Sequence, residues 1–310
     1  MENAVYHIPA MLQECIEGLR IDKNGTYVDV TFGGGGHSRA IVAELGSEGH
    51  LYSFDQDIDA YANRIDDPRF TFVHSNFRYL KNFLRFHDAG KVNGILGDLG
   101  VSFHHFDEAE RGFSFRADAP LDMRMNQSAM IDAAHVVNSY DEAGLAKIFG
   151  EYGDMRRPMP IVKAIIKARQ SQSITTTGQL LEIVHPLVNP KQEKKELAQI
   201  FQALRIEVNG EMDALKRFLE STLEVLKPGG RLVILTYHSL EDRMVKNFIK
   251  TGNTDGIIEK DFFGRVSTPW RQITKGAVSP SQEEIELNPR SRSAKLRVAE
   301  LIATEDNTNL

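Results

Sequence analysis

Four consecutive glycines, Gly33–Gly36, lie between a β-rich run, TYVDVT at 26–31, and His37-Ser38-Arg39, which opens a helical stretch. A glycine turn after a strand lets a ligand approach the backbone, because no side chain stands in the way. The helix that follows points its unpaired N–H groups at that ligand. Asp55 comes twenty positions after Gly35, at the end of the next β-rich run, HLYSFD. A carboxylate there can accept hydrogen bonds from ribose hydroxyls. Loop and acid together imply an adenosine-type cofactor. A dinucleotide loop needs a third glycine where its helix packs beneath the pyrophosphate. None stands at that place here. S-adenosylmethionine has no pyrophosphate and does not need one, so the expected cofactor contacts are Gly34, Gly35, Gly36, His37 and Asp55.

Asp98 closes a later β-rich run, VNGILGD at 92–98, and His238-Ser239 closes another, with Tyr237 beside it. Ligands of open α/β sheets gather at the carboxyl ends of the strands, so Asp98 is expected near the reacting group. His238 is a candidate for substrate contact or proton handling; the competing reading is a strand-end histidine bonded to the backbone. Methylation at carbon 5 of a pyrimidine would need a cysteine nucleophile. The single cysteine, Cys15, precedes the first strand, so nitrogen or oxygen is the expected acceptor atom. Asp122 and Arg124 form either a surface pair or a floor beneath a target base. Arg205 and Asn209, four apart, share a helix face. Trp270 either packs or stacks on a base. His104 and His105 are adjacent and do not converge, and no metal-ligand cluster is expected.

These residues need a scaffold. Strands at 26–31, 50–55, 69–77 and 92–100 alternate with helical stretches, the pattern of a parallel sheet covered by helices. The alternation stops after 100, and the next strand, RLVILTYHS, begins at 231 behind the stop signal KPGG. Between them, helical periodicity covers roughly 132–150, 158–170, 176–188 and 193–226. The expected architecture is a doubly wound, Rossmann-like α/β sheet (residues 1–104 and 211–310) interrupted by an all-helical subdomain (105–210). The tail 293–302 reads as a final edge strand.

A net charge of -6 argues against a protein that coats nucleic acid by charge alone. Local basic stretches stand against that balance. Residues 155–181 hold Arg156, Arg157, Lys163, Lys167 and Arg169, and residues 287–299 hold Arg290, Arg292, Lys295 and Arg297; neither stretch has an acid. A large helical insertion with a basic face favours a macromolecular substrate over a small one. A small-molecule methyltransferase, a nicotinamide oxidoreductase and a non-catalytic RNA-binding protein remain the alternatives on these features. No apolar run reaches membrane-spanning length, no secretory leader is visible, and a cytoplasmic location is expected.

TFGGGGHS (31–38), GDLGVS (97–102), ERGFSFRADAPLDMRM (110–125), FQALRIEVNGE (201–211), LKPGGRLVILTYHSLEDRMVK (226–246) and NPRSRSAKLR (288–297) resemble, in order, the blocks of the bacterial ribosomal RNA small subunit methyltransferase H family. They span nearly the whole chain, and several are long and rare. The resemblance implies a cytoplasmic enzyme that uses S-adenosylmethionine to methylate the exocyclic N4 of one cytidine in 16S ribosomal RNA of the small subunit. It also implies a methyltransferase core interrupted by a helical substrate-recognition domain. Cofactor contacts carried over are Gly35, Gly36, His37, Asp55, Phe77 and Asp98, and one seven residues beyond Asp98. The family often has glutamine at that last position; this chain has His105, whose imidazole differs from an amide in length and charge.

Overall fold

The computed structural model of the chain describes residues 9–100, 109–260, 264 and 266–302. It divides into two compact units, one drawn from Met1–Gly100 and Asp213–Leu310, the other from Val101–Met212.

The first unit is built on seven strands: β1 (Thr26–Asp29), β2 (His50–Asp55), β3 (Phe70–His74), β4 (Val92–Asp98), β5 (Leu226–Thr236), β6 (Trp270–Gln272) and β7 (Lys295–Leu301). Their order is β3-β2-β1-β4-β5-β7-β6. The first five are parallel, and β7 runs antiparallel between β5 and β6. The chain thus starts in the middle of the sheet, winds outward through β2 and β3, then returns to β4 on the other side of β1. That reversal puts the topological switch point between β1 and β4. Buried Leu232, Val233, Ile234 and Leu235 make β5 a continuous apolar run, as an interior parallel strand requires.

The expectation that 293–302 forms an edge strand is corrected. β7 is interior, and the edge belongs to β6, whose three residues WRQ are too short to show a periodicity. The β5 ladder also starts earlier than expected, pairing Leu226 with Val92. Residues 227–230 then leave the register, which resumes at Arg231 opposite Gly94. A helix precedes the sheet as well: α1 (Leu12–Leu19) buries Cys15, Gly18 and Leu19. A β-carbon at Gly18 would lie 3.0 Å from Val298 and 3.3 Å from Val233, so helix and sheet touch through that glycine. Helices α2 (Gly36–Glu44) and α3 (Leu80–Phe86) follow β1 and β3.

The second unit is helical: α4 (Ala133–Ser139), α5 (Glu142–Glu151), α6 (Met159–Arg169), α7 (Thr177–Val184) and α8 (Glu193–Asn209) enclose a core that includes Leu145, Phe149, Ile165, Leu180 and Leu204. Two stretches that read as single helices are broken. Asp141 caps α5 by accepting from the Gly144 N–H at 2.7 Å, so the helix restarts there. Gly210 ends α8 in the left-handed region (φ 56°), and α9 (Glu211–Val225) carries the chain back toward the sheet sequence. Thr176 and Gln179 form a reciprocal capping box at the start of α7.

Candidate active site

At the carboxyl end of β1, Asp29 is almost fully buried and organises its neighbours. Its Oδ1 accepts from the Thr31 N–H (3.0 Å), and its Oδ2 accepts from the Ser38 hydroxyl (2.6 Å). Ser53 on β2 completes the chain of hydroxyls, 2.8 Å from Ser38. The Thr31 hydroxyl contacts Asp29 (3.3 Å) and accepts from the Asp98 N–H (2.7 Å). One buried carboxylate thereby locks the ends of β1, β2 and β4 and the start of α2. Sequence reasoning passed over Asp29. The available signal was an acid inside an otherwise apolar strand just before the glycines, a residue type rarely buried without partners.

The glycine turn is fastened on both sides. Asp55 Oδ2 accepts from the Gly33 N–H (2.8 Å), Asp55 Oδ1 accepts from the Asp57 N–H (2.9 Å), and the Asn63 amide donates to the Gly33 carbonyl (3.2 Å). Gly35 sits at φ 76°, and a β-carbon there would come within 2.9 Å of the Phe32 ring. At Gly36 it would meet Pro9 at 2.9 Å. At Gly33 and Gly34 it would meet nothing within 4 Å. Two glycines therefore serve packing, and two face open space beside the Asp55 carboxylate.

His37 is buried in the first turn of α2. Its Nε2 lies 3.0 Å from the Ala10 carbonyl, which only accepts, so Nε2 carries the hydrogen. Its Nδ1 lies 3.7 Å from Asp98 Oδ2. Asp98 Oδ1 accepts from the Tyr237 hydroxyl at 2.6 Å. Burial pushes the Asp98 carboxyl above the usual carboxylate range, against the opposing pull of His37 and the Tyr237 hydroxyl. Burial and the Asp98 charge together hold the Tyr237 phenol strongly protonated, so it stays a donor. Gly100, just after Asp98, sits at φ 110°, a backbone that favours glycine, and a β-carbon there would lie 3.1 Å from the Tyr237 ring.

The structure thus brings the glycine turn, His37, Asp55, Asp98 and Tyr237 to one edge of the sheet. Phe77 lies three residues beyond β3, half-buried, with its ring 5.4 Å from Phe218. His105 lies outside the described residues. His238 sits at a helix start. It is the N-cap of α10 (Ser239–Thr251), its Nδ1 accepting from the Glu241 N–H at 3.5 Å and its Nε2 3.1 Å from Glu241 Oε1. The reason is local: a helix begins there and its first N–H groups need an acceptor.

Other candidates resolve into packing. Trp270 is buried, its ring 5.5 Å from Phe248, and so is not available to stack on a base. Arg124 makes a bidentate pair with Asp122 (2.8 and 2.7 Å) and also donates to the Ala129 carbonyl, which fixes a turn rather than decorating a surface. Asn209 accepts from the Met125 N–H and donates to the Met123 carbonyl, both at 2.8 Å. Arg205 pairs with Glu211 through two 2.9 Å bonds. Arg169 is turned onto the carbonyls of Val137 and Tyr140, so it is not a free phosphate contact. Burial pushes the Cys15 thiol far up, which leaves it unreactive.

A sheet in this strand order, with a glycine turn after β1 and carboxylates ending β2 and β4, defines a Rossmann-like methyltransferase fold. Residues 4–302 match the MraW methylase family, and the chain belongs to that family of methyltransferases. It is 59% identical over 299 residues to the ribosomal RNA small subunit methyltransferase H of Bacteroides thetaiotaomicron, covering 96% of this chain and 98% of the relative. Its identity to the protein of the same name from Porphyromonas gingivalis ATCC 33277 is 56% over 306 residues, 97% and 98% of the two chains. Among solved structures it is similar to a putative rRNA methylase from Clostridium thermocellum, with a TM-score of 0.45, 13% identity, and coverage of 95% and 99%. No helix among the described residues is long and apolar enough to cross a membrane.

Proposed function

We propose that this methyltransferase uses S-adenosylmethionine to methylate the exocyclic N4 of a cytidine in 16S ribosomal RNA of the small subunit, in the cytoplasm. Relatives sharing more than half of its residues along nearly the full chain carry the name of a small-subunit ribosomal RNA methyltransferase, which supports the substrate. The cofactor reading is supported by the turn itself: the space beside Gly33 and Gly34 is open where a β-carbon would otherwise stand, and the Asp55 carboxylate borders it.

Gly34, Gly35, Gly36 and His37 would line the methionine side of the cofactor, with Asp55 at the ribose hydroxyls and Phe77 and His105 beside the remainder. The Gly33 and Asp57 N–H groups fix the Asp55 carboxylate beside the turn, where ribose hydroxyls would meet it. The cofactor supplies an electrophilic methyl group on a sulfonium. The chain must hold the acceptor in line with it and accept the amine's proton. The lone pair of a cytosine amine is delocalised into the ring, so an acceptor for its hydrogens assists its pyramidalisation. Asp98 is assigned that work. Its Oδ1 is engaged by Tyr237, while Oδ2 has His37 Nδ1 beside it only at 3.7 Å. That half-engaged carboxylate at the end of β4 is the observation that carries the mechanism. His238, committed to capping α10, is assigned a positioning role for Tyr237 through their shared partner Glu241. The helical unit, with Lys163 and Lys167 exposed on α6, is assigned to RNA recognition.

Methyl transfer from labelled S-adenosylmethionine, compared across intact small subunits lacking the modification, naked 16S RNA and free cytidine, tests this reading. The proposal expects label in RNA and none in the nucleoside. Label in neither, with cofactor binding demonstrated separately, would overturn it.

A further inference from the structure

On the β6 side of the sheet, α10 and the segment after β6 enclose a cleft of about 250 Å³. Lys246, Lys250, Lys275 and Arg297 line it, over a floor that includes Ile249 and Val298. Arg297 is neutralised by Asp242, at 2.8 Å. The three lysines are exposed and have no ion-pair partner among the described residues. Arg243, also exposed and without an ion-pair partner among the described residues, stands on the same helix three residues before Lys246 and seven before Lys250. One stripe of α10 thus carries three cations. Like charges at this spacing repel and destabilise a helix. A chain with a net charge of -6 has acids in excess, yet none among the described residues is paired with these cations. The stripe is therefore unexplained by the fold and calls for an anionic ligand. The apolar floor and the Gln272 and Thr274 side chains, also in the lining, suit a sugar or base edge beside the anion.

We propose that this cleft binds the phosphodiester backbone of RNA at a site distinct from the cofactor cradle. This rests on the RNA-substrate reading above and adds to it a docking position. β7, which carries Arg297, is two strands from β4, and β6 is three. At ~4.8 Å per strand the cleft lies roughly 10–15 Å across the sheet from Asp98, a few nucleotides' reach along a bound strand. Phosphate contacts of this kind set register without reading sequence.

Charge reversal tests it. Lys246→Glu with Lys250→Glu reverses the two charges of the stripe that line the cleft. Gly276→Asp brings a carboxylate to the cleft at a position where a β-carbon meets nothing within 4 Å and the backbone is not left-handed, so the fold is not burdened. The full chain is titrated with a labelled single-stranded RNA across a salt series, with inorganic phosphate as competitor and S-adenosylmethionine affinity as the control for folding. Both variants are expected to bind RNA about tenfold or more weakly. The double variant is expected to flatten the slope of log affinity against log salt by roughly 1.4, at ~0.7 for each phosphate no longer neutralised. Cofactor affinity should be unchanged. Variants that bind RNA like the parent overturn the proposal, as does parental RNA binding displaced by millimolar phosphate alone, which would mark a small-anion site. Methyl transfer to small subunits is measured in parallel. Transfer by the parent with no effect of the variants on RNA binding sinks the cleft alone. Weakened RNA binding in the variants with no transfer by the parent sinks the substrate reading and leaves the cleft standing.

Discussion

Asp98 is held between opposing forces. Burial favours its neutral form, while His37 and the Tyr237 hydroxyl favour the carboxylate, and burial prevails. Tyr237→Phe removes one of the two supports, so the carboxyl rises further and the acid limb of kcat/KM against pH moves to higher pH. An unmoved limb would detach Tyr237 from Asp98 ionisation. The raised carboxyl also bears on stability. A carboxylate whose folded-state pKa lies above its unfolded one penalises folding at neutral pH, and the penalty is relieved as pH falls through the folded value. Asp98→Asn is therefore expected to raise the melting temperature of the free protein at neutral pH, with the gain vanishing in acid. The same variant is expected to lose about 10²-fold or more in methyl transfer, the usual worth of a positioned proton acceptor. A melting temperature that falls, or full turnover under saturating cofactor, would contradict this account of Asp98. The carboxylates at the strand ends were legible because an acid closing an apolar run is a conspicuous pattern. Asp29 was not, since its partners Ser38 and Ser53 meet it only across the folded sheet.

The turn after β1 shows how one motif divides its labour. Gly36 and Gly35 are demanded by Pro9 and Phe32, whereas Gly34 borders open space and has no left-handed backbone to protect. Gly34→Ala is accordingly expected to leave the melting temperature unchanged and weaken S-adenosylmethionine binding by about tenfold or more, roughly 1.4 kcal/mol. Gly36→Ala is expected to lower the melting temperature outright. Calorimetric titration and thermal unfolding separate the two. Equal cofactor affinity in Gly34→Ala and the parent would remove this loop from the binding site. Four glycines were plain in the sequence but not which of them border open space, because that depends on Pro9 and Phe32 approaching from outside the motif. At the same scale, β1 to β4 were readable from alternation and spacing. The helix α1 and strand β6 were not: one precedes the repeating pattern, and the other is three residues long and is held in place by β7. The breaks at Asp141 and Gly210 carried ordinary helix-cap signals that the apolar periodicity running through them obscured.

Across the whole molecule the net charge of -6 conceals local basic surfaces, among them Lys163 and Lys167 on α6 in the helical unit. Composition averages such patches away; the acid-free run at 155–181 showed this one in the sequence, and the structure shows that Lys163 and Lys167 stand exposed while Arg169 is turned onto backbone carbonyls. Lys163→Glu with Lys167→Glu is expected to raise KM for small subunits about tenfold, more steeply at low salt, without changing cofactor affinity. An unchanged KM would place RNA recognition elsewhere. The insertion itself was legible as the missing crossover between β4 and β5, where over a hundred residues stand in for a single helix. The central claim, cytidine N4 as the methyl acceptor, is tested most directly by nucleoside mass spectrometry of 16S RNA from small subunits of a strain lacking this gene, after reaction with labelled S-adenosylmethionine. Label in N4-methylcytidine is the predicted result. Label in a carbon- or ribose-methylated nucleoside instead, with cofactor turnover intact, would contradict it.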